Sequence, residues 1–270
     1  MYKLRPFVSE KIWGYERWIV STHPAGQSLA EGAGNDGTAV PLADAIGSYP
    51  LLIKVIQADQ TLSVQVHPDD AYARVHERSL GKTECWYVLD AAPGTSLICG
   101  LTGTYTAQEL RSAIAENRLE PYLRSVPVSK GDFIFIPAGL VHAINGGLRL
   151  LEVQESSDIT YRLYDWGRGR EVHVEKGLSV TKDLSSEPVN DFTGPFSCDY
   201  FSLERIDAGS GDVTVSCAEN DFILFVLSEG GALACAGNRA SCKAEDTFFC
   251  RAGETVAVSA GMSVMKIAAR

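Results

Sequence analysis

Three short stretches of this chain carry residues that bind metals and move protons. Gln65 and His67 stand two apart in Leu62-Ser63-Val64-Gln65-Val66-His67, so on a strand their side chains leave the same face. Lys82 and Glu84 repeat that spacing just before Trp86-Tyr87-Val88-Leu89, and His142 follows the turn Pro137-Ala138-Gly139 beside another apolar run. Two imidazoles, a carboxylate and an amide oxygen gathered by a β-barrel would form a mixed nitrogen and oxygen donor set. Such a set suits a borderline divalent metal and leaves positions for water or substrate. Taken singly, each residue has a plainer explanation: a lone His at a strand end is more often structural, and Glu84 alone would be a surface group. Two more charges interrupt apolar runs, Lys54 within 51–56 and Glu152 within 150–153. A charge turned inward from a strand is costly unless it meets a polar cavity. For Lys54 the alternative is an edge-strand gatekeeper.

The elements that must position these groups are mainly strands. Runs at 51–56, 62–67, 86–89, 133–136 and 148–153 are short, rich in β-branched or aromatic residues, and bounded by Gly, Pro, Asp or Asn. Thr106 followed by Glu109 forms a capping box, and Leu110, Ala113 and Ile114 have helical spacing, which predicts one short helix to about Leu119. Asp69 and Asp70 are placed to cap another helix starting near Ala71. The stretch 30–44 reads as a loop, and 182–190 as a linker. His23, His76 and His173 read as structural or surface groups. Trp13, Trp86 and Trp166 read as core or cavity wall.

The segment 130–142 has a shadow at 244–256, with Asp132 matching Asp246, Gly139 matching Gly253, and Val256 at the place of His142. The run 86–90 likewise resembles 224–228. Two copies of one β-unit follow, of which the second lacks the first's polar chemistry. The expected division is residues 1–180 for a metal-bearing unit with the helical insert, and 181–270 for a degenerate unit without metal.

With 24 Lys and Arg against 34 Asp and Glu, the net charge of -10 and the lack of a basic cluster argue against binding a phosphate backbone. No run reaches the ~18 apolar residues of a membrane span. No signal peptide is visible in the first twenty residues. The seven cysteines are odd in number and contain no C-x-x-C pair, which fits reduced thiols in a cytoplasmic protein rather than a disulfide scaffold.

Gly131, Pro137, Gly139 and His142 resemble the second motif of the cupin superfamily, and Gln65-Val66-His67 with Glu84 resembles the first. Asn145 falls one residue earlier than the usual cupin Asn, and the gap from His67 to Glu84 is longer than in a minimal cupin. Gln65-Val66-His67-Pro68-Asp69, Gly81-Lys82-Thr83-Glu84, Pro137-Ala138-Gly139-Leu140-Val141-His142 and the run from Leu151 to Trp166 resemble, in order and spacing, the short bacterial form of the type I phosphomannose isomerases. That resemblance implies a mainly β double cupin, two jelly-roll barrels with a short helical insert in the first. It implies a zinc-dependent isomerase, with one ion per chain, that interconverts mannose 6-phosphate and fructose 6-phosphate through a cis-enediol.

By the same resemblance Gln65, His67, Glu84 and His142 are the metal ligands, Arg162 is catalytic with Lys82 and Glu152, and Lys54 and Asp158 bind substrate. Gln65 is the ligand whose contact could be long or absent. Strand alternation puts Arg162 on a face shared with Thr160 and Tyr164, and that face is expected to line the cavity. Arg149, Arg168 and Arg170 are unassigned candidates for the substrate phosphate. The expected partner is a small sugar phosphate, with no nucleic acid or membrane, and the chain is expected to be a monomer or weak homo-oligomer. The alternative is a non-catalytic cupin that keeps a metal and senses a sugar phosphate. An Fe(II) cupin oxygenase is disfavoured by Gln65.

Overall fold

A computed structural model describes residues 1–270. The chain is mainly β and folds as two compact units, each made from two sheets. The first unit comprises Val8–Arg17 and Leu52–Asp191. Its six-stranded sheet runs in the order Phe133–Ile136, Glu84–Ala91, Leu148–Glu155, Leu51–Ala58, Gly14–Val20, Phe7–Lys11. Its five-stranded sheet runs Leu123–Pro127, Ser96–Leu101, His142–Ile144, Val64–Val66, Tyr161–Tyr164.

Alternation along these strands sorts the side chains into two layers. Trp86, Val88, Leu97, Ile134, Ile136 and Leu150 form one buried interior cluster. Val64, Val66, Tyr161 and Leu163 instead pack against Leu110 and Ala113 of the helix Ala107–Ala115 and against Val180. Because Val64 and Val66 point to the helices, Gln65 between them projects from the opposite face, as a period of two requires.

The helical insert has the predicted capping box: the Thr106 hydroxyl accepts from the Glu109 amide at 3.2 Å, and the Thr106 amide donates to the Glu109 carboxylate at 2.7 Å. It stops at Ala115 rather than Leu119, because Asn117 turns left-handed at φ 54° and a single 3-10 turn, Glu120–Tyr122, follows. Asp69 caps the helix Asp70–His76, its carboxylate accepting from the Tyr72 amide. A further helix, Val174–Val180, has Gly177 at its centre, which hides it from propensity arguments. The glycine is needed for packing, since a Cβ there would lie 2.5 Å from Leu163. Residues of the stretch 182–190 form isolated bridges, Ser185 with Gly100 and Val189 with Phe133.

The second unit comprises Met1–Phe7, Trp18–Leu51 and Phe192–Arg270, so a single cut at residue 180 does not separate the units. The reason is a ladder: the strand Tyr2–Arg5 pairs with Thr247–Cys250, and Lys3 donates to Asp246 at 2.7 Å. The stretch 30–44, expected as loop, supplies the two-residue strands Leu29–Ala30 and Val40–Pro41 and opens the short helix Leu42–Ile46. No helix anywhere is long and apolar enough to cross a membrane, and all seven cysteines are free thiols.

The internal repeat is visible in the pairing registers. Phe133 faces Tyr87 in the first unit and Thr247 faces Phe225 in the second, which reproduces offsets of 114 (247 minus 133) and 138 (225 minus 87). The turn before each strand is the same. The Ser129 amide donates to the Asp132 carboxylate at 2.8 Å, and the Lys243 amide donates to Asp246 at 3.0 Å.

Candidate metal centre

His67, Glu84 and His142 meet in the interior of the first unit, with one potential ligand atom from each lying within 4.8 Å of the others. Glu84 opens the strand Glu84–Ala91, His142 opens His142–Ile144, and His67 follows Val64–Val66 directly. Each imidazole is oriented from behind. His67 Nδ1 donates to the Ile159 carbonyl and His142 Nδ1 to the Leu140 carbonyl, both at 2.8 Å. Both Nε2 atoms therefore present lone pairs, the arrangement by which backbone carbonyls fix metal-ligating histidines. His142 Nε2 lies 3.4 Å from Glu84 Oε1, and neither atom has a hydrogen-bond partner although both are buried. Buried unsatisfied acceptors are destabilising unless something positive completes them, so the donor set fits a divalent cation. Burial holds both imidazoles neutral, His67 well below its ordinary range and His142 at about 4. Burial, and then the charge on Glu152, pushes the Glu84 carboxyl up.

Lys82 lies within this cluster, with Nζ 2.5 Å from Glu84 Oε2 and 3.2 Å from His67 Nε2. Gly81 allows that placement, because a Cβ there would come within 2.5 Å of the Asp70 amide nitrogen. Glu152 is fixed at both oxygens: Lys54 donates to Oε1 at 3.0 Å and Trp86 Nε1 to Oε2 at 2.9 Å. Burial opposes both members of that ion pair, yet their mutual attraction prevails. The Glu152 carboxyl is lowered, and the Lys54 ammonium is raised with added help from Glu16. Lys54 is thus an inward-facing group and not an edge gatekeeper.

Gln65 is half-buried and faces His142 in one ladder and Arg162 in the other. Arg162 Nη1 donates to the Glu171 carbonyl at 2.6 Å, while its Nε is buried without a hydrogen-bond partner. The expectation that Tyr164 shares its face is not met. A bulge between Arg162 and Tyr164 resets the alternation, and Tyr164 packs with Tyr161 and Leu163 against the helices. Asp158 is exposed, one residue before the Ile159 carbonyl that holds His67. Arg168 and Arg170 both pair with Asp165, at 2.9 and 2.5 Å, and Arg149 Nη1 donates to Tyr15 and Gln57 at 3.0 Å.

His173 has the structural role read for it: it accepts from the Arg162 amide at 3.2 Å and its own amide donates to the Arg162 carbonyl, so it braces the strand carrying the arginine. One group escaped the sequence reading. Glu155 accepts from the Thr83 amide at 2.7 Å, next to Glu84, and burial pushes its carboxyl up to about 7. It lies at the polar end of its strand, after Gln154 and before Ser156, so no interrupted apolar run marked it.

Residues 5–87 match the family model described as phosphomannose isomerase type I, catalytic domain. The mannose-6-phosphate isomerase ManA of Bacillus subtilis (strain 168) is 34% identical over 84% of this chain and 84% of its own length. The chain belongs to the mannose-6-phosphate isomerase family. The crystal structure of the mannose 6-phosphate isomerase from Bacillus subtilis superposes with a TM-score of 0.87 at 26% identity, covering 98% of each chain. A mannose 6-phosphate isomerase solved bound with zinc and yttrium shares the fold at 16% identity, with a TM-score of 0.73 over 100% of this chain and 99% of its own. The fold is accordingly the double cupin of that family, and the chain is an enzyme of it.

Proposed function

We propose that this chain interconverts mannose 6-phosphate and fructose 6-phosphate at the His67, Glu84 and His142 centre, with one zinc ion held by these residues and completed by Gln65. The observation that carries the proposal is the pair of inward Nε2 atoms around Glu84, whose buried Oε1 has no hydrogen-bond partner, in a chain of this family. Zinc bound there supplies a redox-inert Lewis acid for the substrate carbonyl and the developing enediolate. Membership of an isomerase family and the inward Lys82 and Glu152 favour turnover over a purely sensing cupin.

Aldose to ketose conversion through a cis-enediol moves a proton between C1 and C2 and moves charge on and off the neighbouring oxygens. Lys82 Nζ, beside His67 and Glu84, holds a proton at the edge of the donor set and is placed to give it to a substrate oxygen or take it back. Glu152 is locked between Lys54 and Trp86, so its charge keeps Lys54 protonated in the cavity wall, and Lys54 is left to orient substrate hydroxyls. Arg162, opposite Gln65, supplies a fixed planar cation for the enediolate oxygens. Asp158 binds the substrate from the loop beside Ile159.

A coupled assay of mannose 6-phosphate conversion on metal-replete and chelated protein tests the reading. Activity that is lost on chelation and restored by zinc is expected. Full activity in metal-free protein would overturn the metal assignment, and metal-loaded protein that binds the sugar phosphate without converting it would overturn the enzyme.

A further inference from the structure

The strand registers give each position of the metal centre a counterpart in the second unit. His142 faces Gln65, and Val256 faces Val215. Two residues on, the His67 carbonyl accepts from the Gly139 amide at 2.9 Å and the Cys217 carbonyl from the Gly253 amide at 2.8 Å. Glu84 faces Ile136 where Phe222 faces Cys250, and Glu152 faces Trp86 where Lys266 faces Leu224. The donor set has become Val215, Phe222 and Val256, within the apolar cluster of this unit, and Cys217, packed against it.

The mouth above that cluster is not filled. A cavity of about 250 Å³ remains, lined among others by Phe196, Ser202, Glu204, Cys217, Asn220 and Lys266. Its hydrogen-bonding groups alternate in kind. Lys266 only donates, Glu204 only accepts, and Ser202 and Asn220 do both. Glu204 faces Lys266 and Ser202 faces Ala268 across one ladder, so Ser202 and Glu204 lie on one face of their strand. The carboxylate and ammonium stand 4.0 Å apart, beyond hydrogen-bond length, which leaves each with capacity for a ligand. The ring of Phe196 adds an apolar wall.

This lining suits neither a metal, which Lys266 would repel, nor an apolar molecule, which would strand four polar groups. Neighbouring hydroxyls on a ring with an apolar face satisfy donors, acceptors and aromatic surface together. We propose that the mouth of the second unit binds one neutral hexopyranose ring. The volume lies below the roughly 300–1,000 Å³ of drug-sized sites, which admits one sugar ring and no more. Arg270, also in the lining and donating to the Ser197 hydroxyl, is the cation that would favour an anion instead, so inorganic phosphate is the competing probe.

Cys217 provides a local reporter, since it lines the cavity and is only half-buried. Its alkylation by iodoacetamide in the full chain is followed by site-resolved mass spectrometry, with glutathione in the same solutions as the reactivity control. D-mannose should slow labelling of Cys217 saturably, with a half-effect on the order of 1–10 mM, while glutathione labelling is unchanged. Lys266→Met and Glu204→Gln should each weaken that protection about tenfold with isomerase activity and far-ultraviolet circular dichroism unaltered. A Cys217 rate indifferent to mannose would overturn the proposal. So would protection by phosphate but not by mannose, or mannose protection that survives both substitutions.

Discussion

In the first unit the residue facing Ile136 is Glu84, fully buried beside two imidazoles. In the second, the residue facing Cys250 is Phe222, fully buried among Leu224, Phe248 and Val256. The pairing registers correspond at these positions, so register alone does not distinguish a polar interior from an apolar one. The difference lies in what the interior is asked to solvate. Burying Phe222 contributes about 1.5–3 kcal/mol to stability. Burying Glu84 opposes folding unless a cation completes it. The first unit offsets part of that penalty with Lys82, whose ammonium lies 2.5 Å from Glu84 Oε2, and the second has no such need.

The contrast is sharpest at matched positions. His142→Ala should remove zinc measured by elemental analysis and abolish turnover, while Val256→Ala at the counterpart should leave both unchanged. Metal content unaltered in His142→Ala would relocate the centre. Arg162→Ala should lower kcat by on the order of 10²–10³ with little change in KM, the result expected of a group that acts on charge present mainly in the transition state. Arg162→Lys should recover only part of that loss. A normal kcat with a strongly raised KM would make Arg162 a phosphate clamp instead.

Ion pairs of opposite polarity occupy equivalent places: Lys54 with Glu152 in the first unit, and Glu204 with Lys266 in the second. Lys54→Met strands a buried carboxylate and should destabilise the protein by about 3–5 kcal/mol in urea titration. Lys266→Met breaks a pair whose Glu204 is 50% exposed, and should cost at most about 1 kcal/mol. Equal losses would mean that the second mouth is as dry as the first. Val256→Ala removes two buried methyl groups and should cost about 2 kcal/mol without affecting activity.

The smallest effect is a matter of pH. Glu155, at about 7 when folded against its ordinary 4.5, holds its proton more tightly in the native state. Stability from this group is therefore present at low pH and declines as pH rises from about 4.5 to 7. Glu155→Gln, which imitates the protonated acid, should flatten the profile of Tm against pH across that window. An unchanged slope would place the titration elsewhere.

Much of this was readable from residue types. The period of two placed Gln65 and His67 together, the Pro137-Ala138-Gly139 turn pointed to His142, and the offsets of the internal repeat reproduce the pairing registers. What stayed hidden depends on contacts remote in sequence or on local irregularity. Nothing in Tyr2–Arg5 shows that its partner is Thr247–Cys250. The bulge after Arg162 changes which way Tyr164 points without leaving a Gly or Pro to mark it. Gly177 masks a helix, and its missing side chain makes room for Leu163 on the neighbouring strand.

The strand Tyr2–Arg5 also sets an order of events during synthesis. It leaves the ribosome well before its ladder partner Thr247–Cys250, and Lys3 waits for an aspartate 243 residues downstream. Residues 52–191, by contrast, supply nearly all of the first unit and emerge as a block, so the barrel that carries the metal centre can close while the other is still missing its sheet. Late closure across so long a loop is entropically slow, which leaves an apolar edge uncovered in the nascent chain. The unit completed last is therefore the one whose assembly is most exposed to misfolding.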